Sequence, residues 1–260
     1  MTFSILAACV ETGELGYVHA TSTPAVGERL AGIVRGRGVA TVQAAGDALL
    51  REQSLRMLEF GYHPDKIVKE LAEDRYAANR QFAVVDSLGR VAVSTGADAW
   101  NWAGEVVGEH FVATGNTIVG PEVVQAMADA FRDSAGEDFA ERLIISLEAG
   151  RDAGGQADGQ CSSAISVSDH RQSTLNLRVD VHPEPIGELR RIHDWYKVLR
   201  PGYVSYGLDP LSWDLDSWKG LHEAGSPFYP DGGGWTPEVV EERTKTILAA
   251  AAAAAEEESK

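Results

Sequence analysis

Three segments of the sequence have the pattern of two β-strands joined by a tight turn. Apolar residues 3–10 and 15–21 flank the polar turn Glu11-Thr12-Gly13-Glu14, and similar patterns recur over residues 82–95 and 164–181. A tight turn joins antiparallel strands, because parallel neighbours need a long crossover connection. The three hairpins therefore argue against an all-parallel sheet.

Segments with helical periodicity lie between these hairpins. Residues 47–60 and 64–73 form one pair of helices, and a single strand containing residues 39–42 precedes them. A helix beginning at Gly120-Pro121 is typical of a proline at the first helical position. It forms a second pair with residues 139–149.

The ends of two helices can be predicted from glycine and proline. The helix over residues 139–149 is expected to end at Gly150, since glycine commonly terminates helices. Another helix is predicted from Pro185 to Leu199, ending before Pro201. Antiparallel hairpins that alternate with helix pairs predict an α+β fold. Its form is a four-layer αββα sandwich, with two mainly antiparallel sheets between helical layers.

The sequence changes character after Pro201. An irregular stretch carries Trp213, Trp218 and Trp235, and a helix is expected to begin at Thr236 and to run into a series of alanines. We predict a core domain over residues 1–200 and an extension over residues 201–260. Its three tryptophans should be buried, because each covers about 150–250 Å².

Composition narrows the classes of partner and compartment. The net charge of −16 would repel a nucleic-acid backbone, and no apolar run approaches the roughly 20 residues that span a bilayer. Cys9 and Cys161 are the only cysteines, so a disulfide framework is not expected. These features indicate a soluble, cytoplasmic protein that binds neither nucleic acid nor membrane.

Thr2 is the sharpest candidate for chemistry. Initiator methionine is commonly removed before a small residue, and its removal would leave Thr2 with a free α-amine. An α-amine has a pKa of about 7.7–8.0, so it can accept the hydroxyl proton near neutral pH. One residue would then supply both nucleophile and base. The alternative is that the chain begins Met-Thr for no catalytic reason.

Two amide side chains are further candidates. Asn116 follows Gly115 and could stabilise the negative charge that develops on a carbonyl oxygen during amide hydrolysis. It is equally suited to turning the chain. Gln43 follows the apolar residues 39–42 and could bind an amide or carboxylate, or form a hydrogen bond at a strand end.

Charged and aromatic pairs give weaker signals. Arg178 and Asp180 alternate along a strand and face one side, where they could bind a polar substrate or form a structural ion pair. Trp100 and Trp102 could line a pocket, although core packing is the usual role of aromatic residues. The seven histidines lack the spacing of a zinc site, and no nucleotide-binding glycine motif occurs. No metal or cofactor is expected.

Short blocks in a fixed order resemble a known family. The resemblance covers roughly residues 1–200, and the family is domain of unknown function family 1028, whose members look like N-terminal-nucleophile hydrolases. The blocks are Met1 to Ile5, Glu11 to Gly16, Pro24 to Gly27, Gln43-Ala44, Val85-Asp86, Gly89 to Ala92, Thr95-Gly96, Trp102 to Gly104, Gly115-Asn116, Gly120 to Val124, Leu147 to Gly150, Ala153 to Gly155, Ser162, Arg178 to Asp180, His182-Pro183 and Glu188 to Arg191.

The resemblance implies an Ntn-hydrolase-like fold and a set of site residues. Thr2 and Asn116 would be catalytic. The substrate would be bound by Thr21, Gln43, Trp102, Gly115, Ser162, Arg178 and Asp180.

The sequence departs from the family pattern in two places. After Gly155 the family tends to carry an acidic and then basic residues, where this chain has Gln156, Asp158 and Gln160. Ser22 also stands where a basic residue is common. If those basic residues bind an anionic group in relatives, the substrate of this chain differs.

The first functional hypothesis is a cofactor-free hydrolase of a C–N bond in a small amide, ureide or related metabolite, acting as a homo-oligomer (dimer or higher). A second is a non-catalytic small-molecule binding protein on the same scaffold, with Met1 retained. A third is an assembly protein that uses residues 201–260 to bind a partner.

Overall fold

The computed structural model describes residues 1–171, 173–205, 236–242, 244–246 and 249. These residues contain ten strands and six α-helices. The strands are β1 (Thr2–Cys9), β2 (Glu14–Thr21), β3 (Ala31–Val34), β4 (Gly38–Ala44), β5 (Arg80–Asp86), β6 (Val91–Thr95), β7 (Trp102–Gly108), β8 (Phe111–Ile118), β9 (Ser162–Ser168) and β10 (Ser173–Val179). The helices are α1 (Val26–Arg29), α2 (Ala48–Glu59), α3 (Pro64–Leu71), α4 (Pro121–Asp133), α5 (Phe139–Asp152) and α6 (Pro185–Ser205), with a 3-10 turn at Ala77–Asn79.

The strands form two sheets in which every neighbouring pair is antiparallel. One sheet has six strands in the order β10-β9-β2-β1-β8-β7, and the other has four in the order β3-β4-β5-β6. Strand β1 lies in the interior of the larger sheet, between β2 and β8. The predicted α+β fold with two antiparallel sheets is confirmed.

The two sheets pack face to face, and each is covered by a pair of helices. Helices α2 and α3 pack on the four-stranded sheet, and α4 and α5 pack on the six-stranded sheet. The order of layers is therefore αββα. An apolar cluster that includes Leu58, Ile67 and Phe82 fills the space between α2, α3 and their sheet.

The sequence identified three hairpins, whereas five are present. The β3–β4 pair was expected as a single strand, and the β7–β8 pair was not identified as a hairpin. Gly32 and Gly104 help to explain this difference, since glycine weakens the apolar alternation by which a strand is identified. Both lie inside strands, and a Cβ on either would approach a side chain closely, Leu55 at 2.6 Å and Trp102 at 2.8 Å.

Two predicted helix ends are wrong. Helix α5 continues through Gly150 to Asp152, and Gly150 allows close packing, because a Cβ there would lie 2.7 Å from Met127 Cγ. Helix α6 passes through Pro201 and ends at Ser205. A proline removes one backbone donor, but its fixed φ is compatible with helical geometry.

The chain divides into two compact units, Met1–Leu189 and Arg190–Lys260. In the second unit residues 237–242 are helical, and the Val239 N–H donates to Thr236 Oγ1 at 3.3 Å. Trp195 Nε1 donates to Thr244 Oγ1 at 2.7 Å. The predicted burial of Trp213, Trp218 and Trp235 falls outside the described residues, and the boundary at residue 200 stays a prediction.

Among the described residues, no helix combines the length and the apolar character that crossing a membrane would require.

Candidate active site

The space between the two sheets changes from apolar to polar along the strands. At one end it is filled by an apolar cluster in which every second residue of the facing strands takes part. The cluster includes Leu6 and Ala8 of β1, Leu15 and Tyr17 of β2, Val39 of β4, Ala83 and Val85 of β5, and Val112 of β8.

The same alternating positions become polar toward the other end of these strands. Each polar side chain is at most 3% exposed, and we call the set the polar layer. Its members are Thr2 and Ser4 of β1, His19 and Thr21 of β2, Thr41 and Gln43 of β4, Gln81 of β5, and Thr114 and Asn116 of β8. Burying so many polar groups is costly unless they are hydrogen-bonded or serve a ligand.

Thr2 lies at the centre of a row of polar residues across the six-stranded sheet. It pairs with Thr21 on one side and with Asn116 on the other, and Thr21 pairs in turn with Ser162. Directly opposed residues have Cβ atoms about 4.5–5.5 Å apart. The register of β1 therefore brings Thr2 and Asn116 together although 114 positions separate them in the sequence.

Two glutamines from the four-stranded sheet reach across to this row. Gln43 Oε1 accepts from Ser4 Oγ at 2.8 Å, and Gln43 Nε2 donates to Thr114 Oγ1 at 3.1 Å and to Gln81 Oε1 at 2.6 Å. Gln81 Oε1 also accepts from Asn116 Nδ2 at 3.3 Å. The second amide proton of Asn116 is left for another acceptor.

Some buried polar atoms of the first unit have no hydrogen-bond partner. They belong to His19 (both ring nitrogens), Asn116 (Oδ1) and Gln156 (both amide atoms). The remaining two, Arg51 Nε and Arg142 Nε, belong to guanidinium groups that donate through another nitrogen. Two of these side chains, His19 and Asn116, are members of the polar layer.

Gln156 lies on the connection between α5 and β9, beside the same end of the sheet. The Val119 N–H, just after β8, donates to Gly155 O at 3.1 Å, and the Cys161 N–H donates to Thr21 O at 2.9 Å. Since β1 lies between β8 and β2, this connection crosses the start of β1. Gly155 has a φ of 52°, a left-handed conformation that favours glycine.

Met1 occupies the position in front of Thr2. Its carbonyl oxygen accepts a hydrogen bond from Thr21 Oγ1, which in turn lies 3.2 Å from Thr2 Oγ1. The pKa of the Met1 α-amine is lowered, first by burial and then by the positive charge of Arg29. An amine held in this environment loses its proton more readily than a solvated one.

Two other predicted site residues, Ser162 and Gly115, lie in this row or next to it. Ser162 is in the row, but its hydroxyl donates to Thr23 O at 2.7 Å and accepts from the Val26 N–H, which fixes α1. Gly115 precedes Asn116, and its carbonyl accepts from Gln81 Nε2. Their predicted substrate-binding roles stay predictions.

Arg178, Asp180 and the two tryptophans lie at the surface of the first unit. Arg178 forms an ion pair with Asp180 at 2.9 Å and a second with Glu28 at 3.3 Å, so its charge is balanced. Trp100 is 74% exposed, which contradicts the expectation that it packs in the core. Trp102 is half-buried, and its ring lies against Gly104.

Sequence reasoning missed His19 and Gln81 as members of the site. His19 was considered only as a metal ligand, and Gln81 was not considered. Both alternate with buried apolar residues, which is the one signal that could have found them. Within residues 1–171 and 173–189, no group of three histidine, cysteine or acidic side chains has the proximity that a metal ion needs.

We predict that His19 makes the free energy of unfolding depend on pH. Burial is the main cause that lowers its pKa from 6.5 to about 3, and Arg29 adds to it. Between those values the unfolded chain binds a proton that the folded chain does not, so stability falls as the pH decreases through this window. The limiting slope is about 1.4 kcal/mol per pH unit.

Urea unfolding of the wild type and of His19→Leu between pH 4 and 8 measures this effect. The difference in unfolding free energy between the two proteins should change steadily below pH 6.5 and be constant at pH 7–8, which serves as the internal control. A constant difference over the whole range would show that His19 has the same pKa in the folded and the unfolded chain.

Comparison with known proteins places the first unit in a family. The model of the Family of unknown function (DUF1028) matches residues 2–189. Among solved structures, protein SPO2555 from Silicibacter pomeroyi, itself assigned to the DUF1028 family model, is 32% identical. That match covers 75% of this chain and 89% of the other, with a TM-score of 0.69.

A second solved structure is far less similar. Anbu (ancestral beta-subunit) from Yersinia bercovieri is 9% identical, with a TM-score of 0.38, over 78% of this chain and 97% of the other. No curated protein matches the chain. The extent of the family match and the identity to SPO2555 establish that the chain belongs to the family of unknown function DUF1028.

Proposed function

We propose that the chain is an N-terminal-nucleophile hydrolase that cleaves a C–N bond of a small amide, ureide or related metabolite. The observation that carries this proposal is the polar layer, which surrounds Thr2 with buried polar groups, some of them unpaired. A buried polar atom without a partner costs about 1–3 kcal/mol. Buried polar side chains without partners are expected at sites where a bound ligand supplies the missing hydrogen bonds.

The position of Thr2 supports its role as nucleophile. It begins a strand with a neighbour on each side, so its hydroxyl is held by the sheet and not by a frayed terminus. Preorganisation of this kind is what a reactive geometry requires. Removal of Met1 would free the Thr21 hydroxyl, which now donates to the Met1 carbonyl, to orient the new α-amine.

The α-amine of the processed chain is proposed as the general base. Burial and the charge of Arg29 lower the pKa of the Met1 amine. The Thr2 amine of the processed chain would lie close to these surroundings, and a lowered pKa increases the neutral fraction that can accept a proton from Oγ.

The reaction would begin with attack of Thr2 Oγ on the carbonyl carbon while the α-amine takes the hydroxyl proton. Asn116 Nδ2 would donate to the developing oxyanion with the amide proton that is not bonded to Gln81 Oε1. The tetrahedral intermediate would then collapse. The C–N bond breaks, and the proton passes from the ammonium group to the departing nitrogen.

The second half of the reaction would hydrolyse the resulting ester. Water attacks the acyl carbon, its proton goes to the α-amine, and Thr2 Oγ leaves and recovers a proton. The products are a carboxylic or carbamic acid and an amine or ammonia. No electron transfer takes place, so the proposed chemistry needs no redox partner.

One observation favours a second function, a non-catalytic small-molecule binding protein that retains Met1. With Met1 in place, the Thr2 nitrogen is part of a peptide bond, and Thr21 binds the Met1 carbonyl. In that form the chain has no α-amine next to Oγ. The unpaired atoms of His19 and Asn116 would then bind a ligand that is not converted.

The first test is substitution of the nucleophile in the processed protein. Release of ammonia or amine from a panel of small amides and ureides should fall at least about a thousandfold in Thr2→Ala. Thr2→Ser should retain activity, since hydroxyl and amine survive. Addition of one residue before Thr2 should inactivate as fully as Thr2→Ala, because it blocks the amine.

Thr12→Ala is the matched control for this series. Thr12 is exposed on the turn between β1 and β2, and its hydroxyl donates to Glu14 at 2.9 Å. Its substitution should leave turnover unchanged. Turnover by a protein with a blocked α-amine at the wild-type rate would exclude the amine as base.

A second test concerns Asn116. Because Asn116 would stabilise the oxyanion and not the bound substrate, Asn116→Ala should lower kcat about 100- to 1000-fold with a small change in KM. Asn176→Ala, at an exposed position of β10, is the matched control. A loss confined to KM, or a proportional loss of thermal stability and activity, would indicate a binding or packing role.

A further inference from the structure

Arg29, at the end of α1, is an exposed cation whose hydrogen bonds all go to neutral acceptors. Its Nη2 donates to Thr23 Oγ1 at 2.7 Å and to Pro24 O at 2.9 Å, and its Nε donates to Ala25 O at 3.4 Å. Nη1 has no acceptor among the residues that the structure describes. The guanidinium group is held in place, and one of its nitrogens is open.

No carboxylate lies within ion-pair distance of Arg29 in the described part of the chain. Several other arginines of the first unit do have an acidic partner. Arg80 is paired with Asp47 and Asp74, Arg90 with Asp86, and Arg178 with Asp180. In a chain with a net charge of −16, an orientated arginine without an acidic partner is available to an external anion.

A chain of contacts links Arg29 to the row that contains Thr2. Its partner Thr23 accepts a hydrogen bond from Ser162, which pairs with Thr21, the neighbour of Thr2. The side chain of Met1 lies against the segment of residues 21–23, with Ser22 Oγ 3.5 Å from Met1 Sδ. Removal of Met1 would open space along this segment, which leads from Thr21 to the guanidinium group of Arg29.

The positive charge of Arg29 affects the pKa values of two groups in the site. It is the second cause, after burial, of the lowered pKa of both the Met1 α-amine and His19. With no described carboxylate in ion-pair distance of its guanidinium, an anion bound there would offset this positive charge.

We propose that Arg29 binds a carboxylate of the substrate, so that the site takes amides or ureides that carry a carboxylate near the scissile C–N bond. N-acyl and N-carbamoyl amino acids are the chemical class that fits. This inference rests on the proposed function, since it assigns the substrate class of the same site. Arginine is suited to the role because its planar, permanently charged group recognises carboxylates with strong hydrogen bonds.

Calorimetric titration of Thr2→Ala, freed of Met1, tests the inference without turnover. The probes are N-acetylglycine and N-carbamoylglycine, each compared with its carboxamide, in which the charge is absent. The acids should bind about 10- to 100-fold more tightly than the amides, the range expected for a hydrogen bond to a charged group. Added salt should reduce this preference.

Three further variants on the same background locate the effect. Arg29→Gln should remove the preference for the acids, whereas Arg29→Lys should keep part of it. Arg35→Gln should keep all of it, because Arg35 is an exposed arginine on the β3–β4 turn that donates only to Arg171 O at 3.5 Å. Melting temperatures should show that all three variants are folded.

The outcomes separate this inference from the proposed function. Equal binding of acids and amides, binding of neither, or a preference that survives Arg29→Gln would overturn the inference. If neutral amides are turned over in a Thr2-dependent way that Arg29→Gln does not affect, the proposed hydrolase function stands and the proposed substrate class is wrong. An Arg29-dependent preference without any turnover of acids or amides by the wild type would support anion binding and refute the hydrolase.

Discussion

Two glutamine side chains, Gln43 and Gln81, connect the two sheets at the end where Thr2 lies. Through Ser4, Thr114 and Asn116 they link the four-stranded sheet to β1, which carries the candidate nucleophile, and to its neighbour β8. A buried amide that lost these partners would be costly. The rest of the site depends on this bridge, because it holds the sheets at a fixed separation without filling the space with apolar side chains.

The two halves of the space between the sheets differ in the side chains that line them. The half around Leu6, Tyr17 and Val85 is a close-packed apolar cluster that stabilises the sandwich by removing hydrocarbon from water. The half around Thr2 is lined by polar side chains and therefore has less of that stabilisation. Its unpaired atoms on His19, Asn116 and Gln156 have the chemistry of a binding site, and stability lost at such a site is a common feature of functional proteins.

The layers of the fold were predictable from sequence because hairpins and helix pairs leave local signals. The site was less predictable. Thr2 was identified from its place in the chain, but its proximity to Asn116 depends on the register of β1 and β8, which no local pattern specifies. His19 and Gln81 face the polar layer only because of strand parity. Gly150 shows the opposite error, since its local signal for a helix end is overridden by packing against Met127.

Intact-mass analysis combined with peptide mapping tests the central claim, that Thr2 of the processed chain is the nucleophile, most directly. A preparation that turns over amide or ureide should have the mass of the chain without Met1. After brief reaction with an activated ester such as p-nitrophenyl acetate, it should carry one ester-linked acyl group at residue 2 that hydroxylamine removes, and Thr2→Ala should lack this hydroxylamine-labile group. Retention of Met1 in an active preparation, or an acyl group that maps to any other residue with Thr2 unlabelled, would contradict the account.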